Sequence, residues 1–547
     1  MIHKLTLFLN TVKYLKLVQI FNRLKRKLIK PTPDLKPSPS VSTASRQNQN
    51  FIECLPRMLS ENRFDFLNKI VNIQTKEDWN SQNQDKLWLY NLHYFDDLNS
   101  INSIQRYAWH AKLIERWIDE NPPGFGNGWE AYPSSLRIVN WIKWSFNGRN
   151  FEKKWIDSLA IQVRYLSNNL ETHLLGNHLF ANAKALIFAG LFFKGSEADN
   201  WYQIGKNIIE AELDEQVHSD GGNFELSPMY HSIFIEDLLD LVNIHNVYDQ
   251  RKLSLIEKKI PSMLYWLKSM IHPDGEISFF NDAALGIAPS YKELIEYSHR
   301  LGIKNISDNR QPLEFFKNSG YIRVEKENLV SIIDVANIGA SYIPGHGHAD
   351  TLSFELSLFG QRLIVNSGTS IYGRSNERHL QRSTLSHSSV VIDEKNSSEV
   401  WSGFRVARRA NVSDVKIYTN ESIVVSASHD GYTRLKGSPM HQREWRFNNN
   451  EINITDNISG KGIHSIQSIL PLHPDVKIIN TQEDSVELKL NEDLVKIVFE
   501  GEGKLKLVSS RYHPEFGLSL KNKKLVYIYS GKLPRSSLVK ILWGKRL

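Results

Sequence analysis

Near residue 320 the spacing of apolar residues changes. Before it they recur at intervals of three and four, in stretches near 103–121, 133–147, 154–175, 178–194, 198–216, 228–248 and 254–270. That is the spacing of one face of an α-helix. Breaks such as Asn121-Pro122-Pro123-Gly124 and Asp220-Gly221-Gly222 separate the stretches. After it the interval is two, as in Thr351 to Leu358, Ser422 to Ala427 and Ser485 to Leu490. Strict alternation belongs to strands with one face buried. A run of helices followed by a run of strands predicts an α+β multidomain chain: a helical domain over 51–315, then an antiparallel β-sandwich over 316–547. The 547 residues have room for both and for appendages.

Charge isolates one appendage. The chain carries 67 basic and 60 acidic side chains, but residues 1–30 hold eight basic residues and no acidic one. The other 517 residues therefore have 59 against 60, a net of −1. A neutral body excludes a nucleic-acid footprint spread over the molecule. Within the arm, Tyr14, Leu17, Phe21, Leu24 and Leu28 recur at helical spacing between basic residues, which predicts one basic amphipathic helix over 1–30. Such a helix lies on an anionic membrane or a membrane-bound partner, or packs on the body. No apolar run approaches the ~20 residues of a membrane span, and neither the apolar region nor the cleavage site of a secretory signal is visible. A cytoplasmic location, at the inner membrane face in one reading, is the expectation. Residues 31–50, with four prolines and many Ser, Thr, Asn and Gln, read as a linker. The single cysteine, Cys54, rules out an intramolecular disulfide and a cysteine metal cluster.

Four clusters can carry chemistry. Asn177-His178 opens a predicted helix, where both side chains can donate to a carboxylate; helix capping is the plainer reading. In the second, Gly221 and Gly222 precede Glu225, and Ser227-Pro228 marks a helix start with Tyr230 in its first turn. In the third, His346, His348 and Asp350 alternate between glycines, so an extended segment turns all three to one side; imidazoles there serve as bases or metal ligands. The fourth holds Asn366, Tyr372, Arg378, Arg382 and His387, and its arginines suit bidentate carboxylate recognition. No phosphate loop, nucleophile elbow or kinase signature is present.

Together, and in this order, these residues resemble the heparinase II/III-like polysaccharide lyases. The resemblance runs from about Trp88 to Trp445 and includes the segments Leu87 to Asp97 and Gly128 to Arg137, the Asn177-His178 pair, the Tyr230 segment, the His346–Asp350 stretch and His387. A looser likeness extends to bacterial capsule and exopolysaccharide assembly proteins. The resemblance implies an (α/α) toroid followed by an antiparallel β-sandwich, with the active site in the cleft between them. It implies that Asn177 and His178 neutralise a uronate carboxylate, that Tyr230 is the general acid and in one reading the base, and that His346 is the opposing base. Glu130, Arg137, Glu225, Tyr372, Arg378 and Arg382 are candidate substrate-binding residues. The chemistry requires no cofactor, but the resemblance puts a structural divalent metal, zinc, on His348, Asn366 and His387. Asn366 stands where the family has Asp, and a neutral amide oxygen is the weaker ligand, unless Asp350 substitutes.

The implied function is β-elimination on a uronic-acid-containing acidic polysaccharide. Donors aimed at the uronate carboxyl stabilise the charge that builds there as the neighbouring proton leaves. Tyr, with an ordinary pKa of ~10, needs positive neighbours such as Arg378 or Arg382 to act as a base. Three alternatives use the same chain: a uronosyl carbon-5 epimerase, a non-catalytic glycan-binding protein of polysaccharide assembly, and a glycoside hydrolase built on Glu130 and Glu225.

Overall fold

The computed structural model describes residues 2–45, 51–146, 151–249, 254–304 and 310–544. Two short helices come first, α1 (Ile2–Val12) and α2 (Leu17–Leu28). The body's helices follow: α3 (Lys86–Tyr94), α4 (Tyr107–Glu120), α5 (Ala131–Ser145), α6 (Lys153–Ser167), α7 (Gly176–Phe192), α8 (Ser196–Gln216), α9 (Pro228–Val247), α10 (Ser254–Ser269) and α11 (Tyr291–Arg300). The stretch near 154–175 stops being helical at Ser167, and the next segment turns back toward α7 as a loop. A three-stranded antiparallel sheet, Met58–Ser60, Arg63–Phe66 and Lys69–Asn72, interrupts the helical half; its strands are too short for a period to register.

The core of this half is aromatic. Trp79, Trp88, Trp117, Trp141 and Trp155 are almost wholly buried, and Trp117 packs edge-on against Trp141 and Phe95. Each such ring contributes a few kcal/mol by leaving water. Arg137 belongs to this core. It is fully buried, its guanidinium lies 3.8 Å from the Trp117 ring centre, and it donates to Gln162 and the His93 carbonyl. It cannot reach substrate, which corrects its assignment as a binding residue.

From Leu313 onward the regular structure is antiparallel sheet apart from short helical turns and the helix Asn376–Gln381, with long loops between some of the strands. Strands from Leu313–Phe316 to Gln361–Ile364 form five in sequence order. An eight-stranded sheet and a four-stranded sheet follow, and the inward rows of all three meet in one core around Phe354, Trp445, Ile454, Leu488 and Leu525. The two halves are fastened by polar bonds as well as apolar contact: Tyr321 donates to the Leu226 carbonyl, Trp266 to Ser319, and Arg323 to the carbonyls of Ser269 and Ile271.

The arm is two helices rather than one, broken at residues 13–16. Tyr14 sits in the break under the Arg409 guanidinium, 3.7 Å from its ring centre. The arm packs on the body, but with the face opposite to the one an apolar stripe predicts. On α2, Gln19 is buried and donates to the carbonyls of Leu174 and Tyr342, one from each half. Leu17, Phe21, Leu24 and Leu28 face outward, 84%, 67%, 57% and 85% exposed. The segment read as a linker carries no helix, yet it is laid along the body: Arg164 holds the carbonyls of Lys36 and Pro37, and Ser42 donates its N–H to Phe192. Residues 46–50 of that segment lie outside the described residues. Among the described residues no helix is long and apolar enough to cross a membrane.

Candidate active site

Four pieces of chain converge where the halves meet. The first is the start of α7. His178 lies in its first turn, with Nδ1 3.1 Å from Glu171, a carboxylate itself held by Asn182. Burial alone would lower the His178 pKa, but Glu171, with Glu225 and Glu130 adding to it, outweighs burial and raises it, which favours the imidazolium. The Tyr132 ring lies against that ring, 4.5 Å between centres and tilted by 40°. The Asn177 amide oxygen is buried without a partner.

The second piece is the start of α9. Ser227 caps it and Pro228 occupies its first position, as the sequence predicts. The cap accepts the Tyr230 N–H at 3.2 Å and donates its hydroxyl to the Asp282 carbonyl, so one serine fixes both residues. The Tyr230 hydroxyl meets that of Tyr372 at 2.8 Å. Just before the cap, the Glu225 side chain is buried with one oxygen outside any hydrogen bond, and burial raises its pKa. A small cavity is lined by Tyr132, Asn177, Asn223, Glu225, Tyr230 and Asp237, among others.

The third piece is His346 to Asp350. It is a turn-rich loop rather than a strand, but the residues do converge. His346 Nδ1 lies 2.9 Å and His348 Nε2 2.8 Å from the two oxygens of Asp282. The His346 ring lies 4.0 Å from the Tyr230 ring, and its Nε2 faces Glu225 at 3.7 Å.

Asp282, in the loop after α10, is the fourth piece and the residue that sequence reasoning missed. It is fully buried, and Arg378 grips both its oxygens, one at 2.6 Å. Burial would raise its carboxyl, but Arg378 and the two imidazoles outweigh burial and hold it well below the ordinary range. A fixed carboxylate at Nδ1 orients the His346 ring and leaves Nε2 to accept a proton. The neighbour Asn281 has φ 57°, a left-handed turn that asparagine tolerates, and its N–H donates to Asp350.

Two more substrate-binding assignments are corrected here. Arg378 is wholly buried and spends its charge on Asp282. Arg382 is wholly buried and donates to the Gly347 carbonyl at 2.7 Å, bracing the histidine loop. The charge they bring does not outweigh burial at Tyr230. Burial, with Tyr372 and Asp282 nearby, raises its pKa well above 10, so the phenol keeps its proton. Tyr230 and His346 are also in contact rather than opposed across a sugar-wide gap. Glu130 lies at the rim with its carboxylate taken by Lys86 and Tyr90, which leaves it no free role opposite Glu225.

His348, Asp350 and His387 offer ligand atoms within 4.8 Å of one another. His348 Nδ1 and His387 Nε2 face each other at 3.1 Å, while their other nitrogens are held by Asp282 and the Ser383 carbonyl. Imidazoles oriented from behind, with a carboxylate beside them, fit a divalent ion such as zinc. The Asn366 amide instead accepts from the Ser388 N–H and faces Ser353, so Asp350 is the carboxylate this arrangement offers.

A helical half leads into antiparallel sheets, with a Tyr–His–Asp cluster where the two meet. Residues 17–300 match the family model described as Heparinase II/III N-terminus, and residues 308–539 match Heparinase II/III-like, C-terminal. The chain belongs to the heparinase II/III-like family. Among curated relatives it is 27% identical to a heparin-sulfate lyase of Bacteroides stercoris over 334 residues, 56% of this chain and 47% of that one. It is 25% identical to a heparin-sulfate lyase of Pedobacter heparinus over 303 residues, 50% and 44% of the two chains. The chain spans about half the length of the curated relatives it matches. Among solved structures, a heparinase III aligns with a TM-score of 0.67 at 17% identity, covering 87% of this chain and 79% of that one. Heparan sulfate lyase from Pedobacter heparinus aligns at 0.59 and 18%, covering 97% and 88%.

Proposed function

We propose that this chain is a polysaccharide lyase cleaving a uronic-acid-containing polymer by β-elimination, its helices closing an (α/α) toroid and its sheets a β-sandwich. One observation carries the reading: a protonated Tyr230 touches an Asp282-oriented His346 at the edge of a cavity shared with Asn177 and Glu225. His346 Nε2 takes the proton from carbon 5, and the electrons pass into the carboxyl group. His178 and the Asn177 amide receive that charge, the imidazolium by attraction and the amide by donation. The bond from carbon 4 to the glycosidic oxygen then breaks, a double bond forms between carbons 4 and 5, and Tyr230 gives its proton to the departing oxygen. A metal on His348, Asp350 and His387 would brace the histidine loop and supply no step.

The contact between Tyr230 and His346 supports elimination over epimerisation. An epimerase must deliver a proton to the face opposite the one it took it from, and two rings 4.0 Å apart cannot hold a sugar between them. Incubation with heparan sulfate and other uronate polymers in heavy water separates the outcomes. Ultraviolet absorbance from a new conjugated double bond is expected. Deuterium at carbon 5 without that absorbance would mean an epimerase and overturn the reading.

We also propose that the outward stripe of α2 meets an anionic bilayer. Leu17, Phe21, Leu24 and Leu28 are exposed among lysines with no acidic residue in the arm, the composition of an interfacial helix. Co-sedimentation with phosphatidylglycerol vesicles, absent with phosphatidylcholine and lost in Phe21→Glu/Leu24→Glu, is expected. Equal recovery of parent and variant would sink it.

A further inference from the structure

The inward face of α2 has a second property. Gln19, Arg23 and Arg26 stand at i, i+4 and i+7, one stripe of the helix. Gln19 bonds Leu174 and Tyr342, the first just before Asn177-His178 and the second just before His346. Gln19 therefore bridges the two loops that deliver the proposed catalytic groups. Lys16 fixes one end, paired with Glu215 on α8 at 2.7 Å and lying over the Tyr342 ring at 4.0 Å. Thr11, on α1, accepts from the Trp401 indole at 3.0 Å and ties the arm to the sheet half.

What the stripe presents at this place is positive charge without a counter-charge. Arg26 lies 3.0 Å from His173 Nδ1, in the loop between Glu171 and α7. Burial, then Arg26, push that imidazole down to about 4, so it takes the arginine's hydrogen bond as a neutral acceptor and leaves its charge uncompensated. Arg23 feels the like charge of Arg405. Arg405 lies over the Trp401 ring and directly follows Phe404, whose ring packs against His346 and Tyr372. Among the described residues no carboxylate lies within ion-pair distance of Arg23, Arg26 or Arg405. Like charges held together without a counter-ion cost free energy, and an anionic ligand removes that cost.

We propose that the arm is a wall of the substrate cleft, and that Arg23 and Arg26 with Arg405 bind anionic groups of the polymer beside the bond that breaks. The ligand chemistry is an oxyanion on a sugar, either carboxylate or sulfate. Guanidinium forks match both. The proposal rests on the lyase reading for its substrate, but its test does not need turnover.

The experiment uses the full chain in a Tyr230→Phe background, which prevents consumption of ligand, and titrates three octasaccharides: unsulfated hyaluronan, sulfated heparan and a neutral glucan. Arg23→Ala/Arg26→Ala is expected to weaken binding of both anionic probes, roughly tenfold for each charged hydrogen bond lost, and to flatten the salt dependence. An effect on the sulfated probe alone assigns the site to sulfate; an equal effect on both assigns it to carboxylate. Lys13→Ala/Lys25→Ala removes the same charge from elsewhere on the arm and is expected to change little. Arg23→Lys/Arg26→Lys should recover part of the affinity, which a merely unfastened helix would not.

If the double alanine variant binds as its parent does, while the native chain forms unsaturated product, the subsite is overturned and the lyase reading stands. If binding depends on the arginines but no unsaturated product forms with any uronate polymer, the subsite stands and the lyase reading falls. A parent that binds neither anionic probe overturns the subsite.

Discussion

Tyr230→Phe is expected to lower kcat by roughly 10²- to 10⁴-fold, the range a positioned general acid contributes, with KM within a few fold of the parent. The substitution removes one oxygen and leaves the ring in place against His346. Its structural cost is small, because the lost hydrogen bond is to the Tyr372 hydroxyl, about 1 kcal/mol. Tyr372→Phe is the informative partner. If Tyr230 is the acid and Tyr372 only orients it, the Tyr372 variant keeps most of its turnover, within about tenfold by the same hydrogen-bond magnitude. Initial rates of ultraviolet absorbance, read alongside urea midpoints, separate chemistry from stability. Rates for Tyr230→Phe within a few fold of the parent would remove it from the mechanism and move the acid to Tyr372 or to water.

The same pair bears on pH. Burial and the neighbouring Tyr372 and Asp282 raise the Tyr230 pKa above its ordinary value of ~10. The phenol therefore keeps its proton up to and beyond that ordinary value, and loss of activity in mildly alkaline solution is not expected from it. Glu171 favours the protonated form of His178 against burial, so a fall of kcat with rising pH is expected to report the loss of that imidazolium, and His178→Gln should remove that limb from the profile.

The change of hydrophobic period was legible because burial imposes it residue by residue: the long run of helices ends at Arg300 and the long run of strands begins at Leu313. Tyr230 was placed in the first turn of its helix because Ser227-Pro228 is a local signal, and local signals survive folding. Asp282 gave no signal. Its role arises only when the loop after α10, the histidine loop and the Arg378 segment meet, and nothing in its own neighbourhood records that. The arginines misled for a related reason. A guanidinium announces a carboxylate partner but not whose, and for Arg378 the partner is Asp282. For Arg137 it is not a carboxylate at all but an indole face and a glutamine. In α2 the periodicity gave a stripe without a direction. Leu17 and Phe21 point outward because Gln19, on the opposite side, finds two carbonyls to bond.

Asp282→Asn tests the convergence itself. The carboxylate serves four side chains at once, Arg378, His346, His348 and the Thr369 hydroxyl, and an amide can serve only part of them. Its NH₂ would face Arg378 or one imidazole as a like donor, and the guanidinium, wholly buried, would lose its counter-charge. Breaking one side of a buried pair costs about 3–5 kcal/mol. The catalytic cost is separate: an imidazole without its orienting carboxylate loses roughly 10³- to 10⁴-fold in kcat where the same arrangement has been cut elsewhere. The pH dependence has a definite sign. The folded-state pKa of Asp282 lies well below its unfolded value of about 3.9, so its stabilisation is fully present above that value and is lost as pH falls toward the folded pKa. Parent and variant should thus differ by a constant amount in urea midpoint near neutrality, and the gap should close only in acid. Asp282→Asn/Arg378→Gln removes both charges and should recover part of the stability, since no lone ion is left buried, while activity stays lost because His346 remains unguided. A double variant no more stable than Asp282→Asn would mean that the guanidinium's isolation is not what destabilises the fold.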